Sequence, residues 1–284
     1  MEGMRIAAGI VLYNPDPERL EQNLTAIRTQ VDILYIVDNA SSNWSSIEPL
    51  VHDAVVIRNT TNQGIAHALN QLLLMGERDG MQWVLTLDQD SICPPDLIEK
   101  LAHQANNHPQ AGIVCPVIHD RSFGIEHQPT SDSVTPVNEC ITSASLTRVA
   151  AWSEVGGFDD WLFIDAVDTD FCLSLHEQNW QVLRVNAIQL NHEIGHNATL
   201  HRIGNRSYIA FNHAPIRYYY MARNMVYLSR KHKGFLQPAP WRCMLTMIAR
   251  MGVILLWERE QSWIKCGKII KGLSDGIKKV VCQK

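Results

Sequence analysis

Two clusters of carboxylates stand where their apolar neighbours should draw them out of water. In WVLTLDQDSI (83–92), Trp83, Val84, Leu85 and Leu87 suit a sheet interior, yet Asp88 and Asp90 follow at once with Gln89 between them. Carboxylates at the end of a buried strand are unfavourable unless a positive partner meets them. That partner is an arginine, a metal ion, or a metal carrying a phosphorylated substrate. At spacing two both side chains share a face, and past a strand end they can converge on one divalent cation, with oxygen ligands suited to Mg²⁺ or Mn²⁺. In FIDAVDTDF (163–171), Asp165, Asp168 and Asp170 are interleaved with Phe163, Ile164, Val167 and Phe171. Helix capping accounts for one or two such acids. The apolar neighbours imply a dry pocket, where a carboxylate's pKa rises toward what a general base needs. LNHEIGH (190–196) matches H-E-x-x-H by letter, with His192 and His196. A zinc hydrolase needs that motif on a continuous helix, whereas VLRVNAIQL before it and the Ile-Gly pair within it argue for strand then loop.

The elements that must position these groups alternate. Strands are expected over 5–14, 32–41, 54–60, 83–92 and 111–118, and helices over 16–30, 62–80 (after a short loop) and 94–108. Strands separated by helices of this length imply parallel pairing in an α/β sheet, whose ligands sit beyond the carboxyl ends of the strands. Tyr13-Asn14, Asp38-Asn39, Asn59 and Asp88-Gln89-Asp90 all fall at those ends. Residues 119–139 read as a long loop, mobile or covering the substrate, CITSASLTR (140–148) as a strand, 155–180 as a turn, acidic segment and helix, and 181–195 as a last strand pair.

Charge divides the chain. Residues 1–216 hold 11 Lys+Arg against 26 Asp+Glu, a balance of −15, and residues 217–284 hold 14 against 3, a balance of +11. A basic tail on an acidic body suggests a polyanionic partner. The tail's Trp, Met, Leu and Ile content suits lipid better than nucleic acid. Residues 243–257 are too short to span a bilayer, but Trp241, Trp257 and Trp263, with Lys265, Lys268, Lys271, Lys278 and Lys279, suggest helices lying in a membrane interface. The competing reading is a set of ordinary core helices. Seven scattered cysteines without a C-x-x-C pair fit a reduced, cytoplasmic protein and read as buried apolar side chains. The N-terminus shows no signal-peptide pattern, and no G-x-G-x-x-G follows the first strand as a dinucleotide oxidoreductase requires.

In order and spacing, VLYNP, YIVDNASS, NQGIAHALN, LDQDS, GFDDWLFIDAVDTDFCLSL, LNHEIGH and YYYMARNMVYL resemble the inverting family 2 glycosyltransferases. They are most similar to the bacterial rhamnosyltransferases of O-antigen and cell-wall polysaccharide assembly. The resemblance implies a GT-A fold, a Rossmann-like nucleotide-sugar-binding mixed sheet flanked by helices over residues 1–205, to which the composition adds a helical, basic, membrane-interfacial extension over 206–284. It implies that Tyr13, Asn14, Asp38, Asn39, Asn62, Gly64 and Asp88 bind the nucleotide. Asp88, Asp90 and His192 would hold Mg²⁺ or Mn²⁺ at the diphosphate, and Arg223 would reach that diphosphate or serve an interfacial or structural role. Asp168 would be the general base, with Asp165 and Asp170 orienting it or holding the acceptor. Two departures stand out: the first acid of the usual Glu-Asp pair is Val167, and the D-x-D centre is Gln89. The implied reaction moves L-rhamnose from dTDP-L-rhamnose to a lipid-linked saccharide on the inner face of the cell membrane. The alternatives are another donor, UDP-galactofuranose or UDP-GlcNAc, or a non-catalytic nucleotide-binding module at the membrane.

Overall fold

The computed structural model describes residues 4–120, 133–192, 199–203, 206–233, 239–258 and 260–279. The chain divides into two compact units, Met1–Phe163 with Val167–His192, and Ile164–Ala166 with Glu193–Lys284.

The first unit is a mixed α/β layer built on β1 (Ile6–Leu12), β2 (Ile33–Asp38), β3 (Val55–Arg58), β4 (Trp83–Asp88), β5 (Ala111–Asp120), β6 (Val134–Pro136), β7 (Ser145–Arg148) and β8 (Gln181–His192). These form one sheet in the order β3-β2-β1-β4-β7-β5-β8-β6. Its helices are α1 (Pro17–Arg28), α2 (Trp44–Ile47), α3 (Ile65–Arg78), α4 (Leu97–Asn107), α5 (Val149–Glu154) and α6 (Val167–Glu177). β1 and β4 are buried on both faces, as near-continuous apolar runs demand. α1 starts where Asp16 accepts a hydrogen bond from the Arg19 amide at 2.9 Å, with Pro17 fitting the first turn. Leu69, Leu72 and Leu73 bury one stripe of α3.

Register decides where the polar strand ends fall. Leu12 pairs with Asp38, Asp38 with Arg58, and Val11 with Asp88, so the ends of β1 to β4 lie level along one edge. β7 runs antiparallel to both β4 and β5, and Ser145 at its start pairs with Thr86 near the end of β4. The turn that enters β7 therefore arrives at the same edge.

Two expectations change. The strand expected over 140–148 begins only at Ser145, because residues 140–144 turn, with Ala144 at φ 59. Of the strand pair expected over 181–195, residues 181–192 form one twelve-residue strand, β8, and 193–195 lie outside the described residues. Its partner in β5 shifts from Val185 to Gln189 between Pro116 and Val117, so Asn186–Ile188 bulge rather than turn. Asn186 steadies the bulge by donating to Ser133 Oγ and Thr135 Oγ1 at 3.0 and 2.8 Å. Most of the expected loop over 119–139 lies outside the described residues.

The second unit carries a hairpin, β9 (Thr199–Ile203) with β10 (Arg206–Ala210), and the helices α7 (Pro215–Lys231), α8 (Pro240–Trp257) and α9 (Ser262–Lys278). Tyr218, Ala222, Met247, Ile254, Cys266 and Ile269 form its core. α7 and α9 cross closely because two glycines lack side chains: a Cβ at Gly272 would stand 2.3 Å from the Tyr219 carbonyl oxygen, and one at Gly276 2.5 Å from that of Arg223. Lys265, expected among the exposed basic residues, is buried instead, because its Nζ pairs with the buried Glu258 at 2.8 Å. Glu258 also accepts from the Phe211 amide and the Tyr218 hydroxyl, which keeps its carboxyl below the usual range despite burial. The opposite faces of α8 and α9 expose Trp241, Leu245, Ile248, Leu256, Trp263 and Ile270. Among the described residues no helix is long and apolar enough to cross a membrane.

Candidate active site

The carboxyl edge of β1 to β4 is built from loops that hold one another. Asp38, fully buried at the end of β2, accepts from the Ser41 amide at 3.1 Å through Oδ1. Its Oδ2 has no hydrogen-bond partner among the described residues, and the nearest cation is Arg58 Nε at 3.7 Å. Leaving a buried acceptor unmatched is unfavourable by about 1–3 kcal/mol, more when it is charged, so this oxygen suits an N–H brought by a ligand. Asn39 uses its whole amide internally. It donates to Asn62 Oδ1 and the Gly64 carbonyl at 3.0 and 3.2 Å, and accepts from the Gln63 amide and Asn59 Nδ2 at 3.0 and 3.2 Å. Asn62 Oδ1 in turn takes the Gly64 amide at 2.9 Å. Asn14, at φ 47, receives the Ser42 amide and hydroxyl at 2.7 and 2.8 Å, and Tyr13 beside it is half-exposed.

Gly64 adopts φ 88, and a Cβ there would lie 2.6 Å from the carbonyl oxygen of Phe163. That carbonyl accepts from the Ile65 amide at 2.8 Å, at the start of α3. The close approach this glycine permits is to Phe163, whatever else the cleft admits. Gly64→Ala should therefore lower stability by about 1–3 kcal/mol, measured by denaturant unfolding; a change within error would show that the loop repacks freely.

At the end of β4, hydrogen bonds to the backbone fix the acidic pair in place. The Asp88 carbonyl accepts from Asn23 Nδ2 at 2.7 Å and from the Ser91 amide at 3.2 Å, and its amide donates to Ser143 Oγ at 3.3 Å. Arg19, an available cation, donates to the Asp90 backbone carbonyl at 2.8 Å. Gln89 pairs both ways with the backbone of Tyr13: its Oε1 takes the amide at 2.9 Å and its Nε2 donates to the carbonyl at 3.4 Å. The residue at the centre of D-x-D thus ties β4 to β1. Asp88 is half-buried and Asp90 exposed.

The turn before β7 brings the second acid cluster to the first. Thr86 Oγ1 donates to the Thr142 carbonyl at 2.6 Å, and Ser91 and Ser143 hydroxyls meet at 2.7 Å. Thr142 hydrogen-bonds Asp168, in the first turn of α6, from both side chain and backbone. Burial pushes the Asp168 carboxyl up to about 7; the negative charges of Cys140 and Asp88 add to this, and the Thr142 hydrogen bonds oppose it. A carboxyl poised there can take a proton from a hydroxyl near neutral pH. Thr142, Ser143 and Ser91 escape a search for chemical residues. The small polar run TSAS within 140–148 is the sign of a turn that could have found the first two.

The remaining acids divide by location. Asp160 bonds His67 Nδ1 and Asn70 Nδ2 at 3.0 and 2.7 Å, and Asp159 accepts from the Trp161 amide at 3.1 Å, so both brace the GFDDW turn. Asp170 is buried, and two positions beyond Asp168 it leaves α6 on another face. Asp165 belongs to the second unit, at φ 64, where Arg217 meets its Oδ1 at 3.1 Å; burial still raises its carboxyl. In that unit Asn224 donates to the carbonyls of Ile164 and Asp165, each at 2.7 Å. Arg223 donates to Asn224 Oδ1 at 2.8 Å and stacks 4.8 Å from the Tyr220 ring centre. His192 closes β8 opposite Asp120, and its side chain lies outside the described part, as does His196. A cleft of ≈ 660 Å³ opens at the other edge of the sheet, between Met4, Gly80, Trp83 and Arg148. None of the acids above lines it.

Comparison with known proteins adds three kinds of likeness. The family model described as "Glycosyl transferase family 2" matches residues 8–151. The chain is 28% identical to the dTDP-rhamnosyl transferase RfbF of Shigella flexneri, covering 96% of this chain and 95% of that one. It is 20% identical to the N-acetylglucosaminyl-diphospho-decaprenol L-rhamnosyltransferase of Mycobacterium tuberculosis, over 92% and 96% of the two chains. Among solved structures, the mannosyltransferase PcManGT from Pyrobaculum calidifontis, in complex with GDP-Man and Mn²⁺, superposes with a TM-score of 0.59 at 15% identity, covering 96% of this chain and 87% of that one.

Proposed function

Because the chain belongs to glycosyl transferase family 2, we propose that it transfers L-rhamnose from dTDP-L-rhamnose to a lipid-linked saccharide, with inversion, using Asp168 as general base. The observation that carries the mechanism is Asp168 itself: a carboxyl raised to about 7, held by Thr142 within the influence of Asp88 at the carboxyl edge. The similarity to RfbF supports the donor, and the mycobacterial relative supports a lipid diphosphate acceptor.

In this reading the thymine imide N–H donates to the unmatched Asp38 Oδ2, Tyr13 and Asn14 flank the nucleoside, and Asn39 holds Asn62 and Gly64 in the loop beside it. Asp88 and Asp90 present a half-buried and an exposed carboxylate. Among the described residues no three His, Cys, Asp or Glu side chains form a metal cage. Two carboxylates fit Mg²⁺ or Mn²⁺, which bind through one or two carboxylates and complete their shell with phosphate oxygens and water. Such an ion, when bound, neutralises charge on the leaving diphosphate. Asp168 takes the proton of the acceptor hydroxyl as that oxygen bonds to the anomeric carbon and the nucleoside diphosphate departs. A single displacement turns a β-linked donor into an α-linked product.

The experiment that tests this reading is calorimetric titration of the purified protein with dTDP-rhamnose, UDP-galactofuranose and UDP-GlcNAc, with Mn²⁺ and then with EDTA. Tight binding of dTDP-rhamnose that weakens with EDTA is the expected result. Preference for a UDP-sugar would move the donor, and no nucleotide binding by folded protein would end the proposal.

Residues 206–284 are proposed to lie on the membrane that holds the acceptor. Support comes from the exposed faces of α8 and α9, where Trp241 and Trp263 are 58% and 80% exposed, and from the partly or fully exposed Lys268, Lys271 and Lys278 nearby. Aromatic and aliphatic side chains flanked by lysines suit an anionic bilayer surface. Exchanging both tryptophans for Ser should weaken flotation with phosphatidylglycerol vesicles at least about tenfold. Undiminished flotation would show that these faces meet something else.

A further inference from the structure

Three of the seven cysteines, far apart in sequence, come together beside Asp168. Cys140 Sγ lies 3.8 Å from Cys172 Sγ and 3.5 Å from Ser145 Oγ, and it shares a hydrogen bond with the buried Cys115. Cys140 is partly exposed, whereas Cys172 and Cys115 are buried. Cys140, Thr142, Asp168 and Cys172 line one cavity of ≈ 10 Å³, room for about one water molecule. Hydrogen bonds from the Cys115 and Cys172 side chains hold the Cys140 thiol well below the usual range, while those two neighbours are pushed up. The cluster therefore has one nucleophilic sulfur with a thiol in line behind it.

We propose that Cys140 and Cys172 form a peroxide-sensitive pair that closes into a disulfide and disables the general base. The Cys140 thiolate attacks one oxygen of hydrogen peroxide, the O–O bond breaks, and the departing hydroxide takes up a proton to leave as water. The Cys172 thiol then attacks the resulting sulfenic sulfur, forming the S–S bond and releasing a second water. Two thiols are oxidised and one peroxide is reduced to two waters. A disulfide requires about 2.05 Å between sulfurs, so the pair must draw together from 3.8 Å. Both ends of that contraction bear on the same carboxylate. Cys172 sits one helical turn beyond Asp168 on α6, and Cys140 lies two residues before Thr142, which hydrogen-bonds Asp168.

The effect on transfer rests on the function proposed above, but the crosslink does not, so the test reads them separately. The full chain is treated with a few equivalents of hydrogen peroxide, alkylated, digested and mapped by mass spectrometry, and its transfer rate is followed in parallel. The expected result is loss of two free thiols, a Cys140–Cys172 linked peptide, and a rate lowered at least tenfold and restored by dithiothreitol. Cys172→Ser should keep its basal rate and resist peroxide, and Cys140→Ser, at the more exposed position, provides a second resistant variant should the first fold poorly. Intact thiols at 140 and 172, a link to Cys115 instead, or a link that leaves transfer unchanged would each overturn the proposal. If the chain transfers from no donor, the linked peptide still decides whether the pair exists.

Discussion

Asp168→Asn is expected to lower transfer by about a hundredfold or more, with donor binding by calorimetry unchanged. The substitution keeps the shape and the Thr142 contacts but removes the proton acceptor. Because the wild-type carboxyl titrates at about 7, kcat/KM should fall about tenfold per pH unit below that value. Stability should move the other way. A carboxyl raised in the fold binds its proton more tightly there than in the unfolded chain, so its ionisation weakens the fold as pH rises from about 4 through 7. The Asn variant escapes this, and its Tm should exceed that of the wild type at pH 8, with the gap closing toward pH 4. A variant that transfers at the wild-type rate would remove Asp168 from the chemistry. One that is inactive but no more stable at pH 8 would place the carboxyl in water.

Asp88→Asn is expected to reduce kcat/KM by about 10²–10³-fold, the scale of several kcal/mol that a bound divalent ion contributes to charge developing on a phosphate oxygen. The loss should be largest at low Mn²⁺, and the EDTA sensitivity of donor binding should largely disappear. A second effect separates this role from simple misfolding. The charge of Asp88 helps to raise Asp168, so in the metal-free variant the acidic limb of the pH profile should shift to lower pH. An unmoved limb would mean that the two carboxylates do not sense each other.

The parallel half of the sheet is legible in the sequence because local signals and long-range partners agree there. Strands expected over 5–14, 32–41, 54–60 and 83–92 appear as 6–12, 33–38, 55–58 and 83–88, trimmed where polar ends leave the sheet. Level strand ends put Asp38 and Asp88 on one edge, as an α/β sheet requires. The reversed β7 is harder to read: four residues, SLTR, carry no sign of direction, and their place between β4 and β5 is set by distant pairings such as Thr86 with Ser145 and Val114 with Leu146. The role of Thr142 is hidden for the same reason, since it depends on a turn whose partners are Thr86 and Asp168. Cysteines 115, 140 and 172 have no telling spacing; only the register of β5 and the approach of α6 make them neighbours. Gln89 departs from a typical acidic triplet, and its bonds to Tyr13 explain that choice only once the fold is known.

Asn14, Ala40 and Ala144 all hold left-handed backbone, at φ 47, 69 and 59, without being glycine. Each lies in a loop at the carboxyl edge, after β1, after β2 and before β7. A non-glycine residue held there is strained by about 1–3 kcal/mol, so part of the fold's thermal margin is given up in the loops of the carboxyl edge. Directed selection for heat resistance would draw first on these positions, where glycine relieves the strain. The gains would come with looser loops around Asp38 and Thr142, so variants chosen only for survival at high temperature would drift away from turnover.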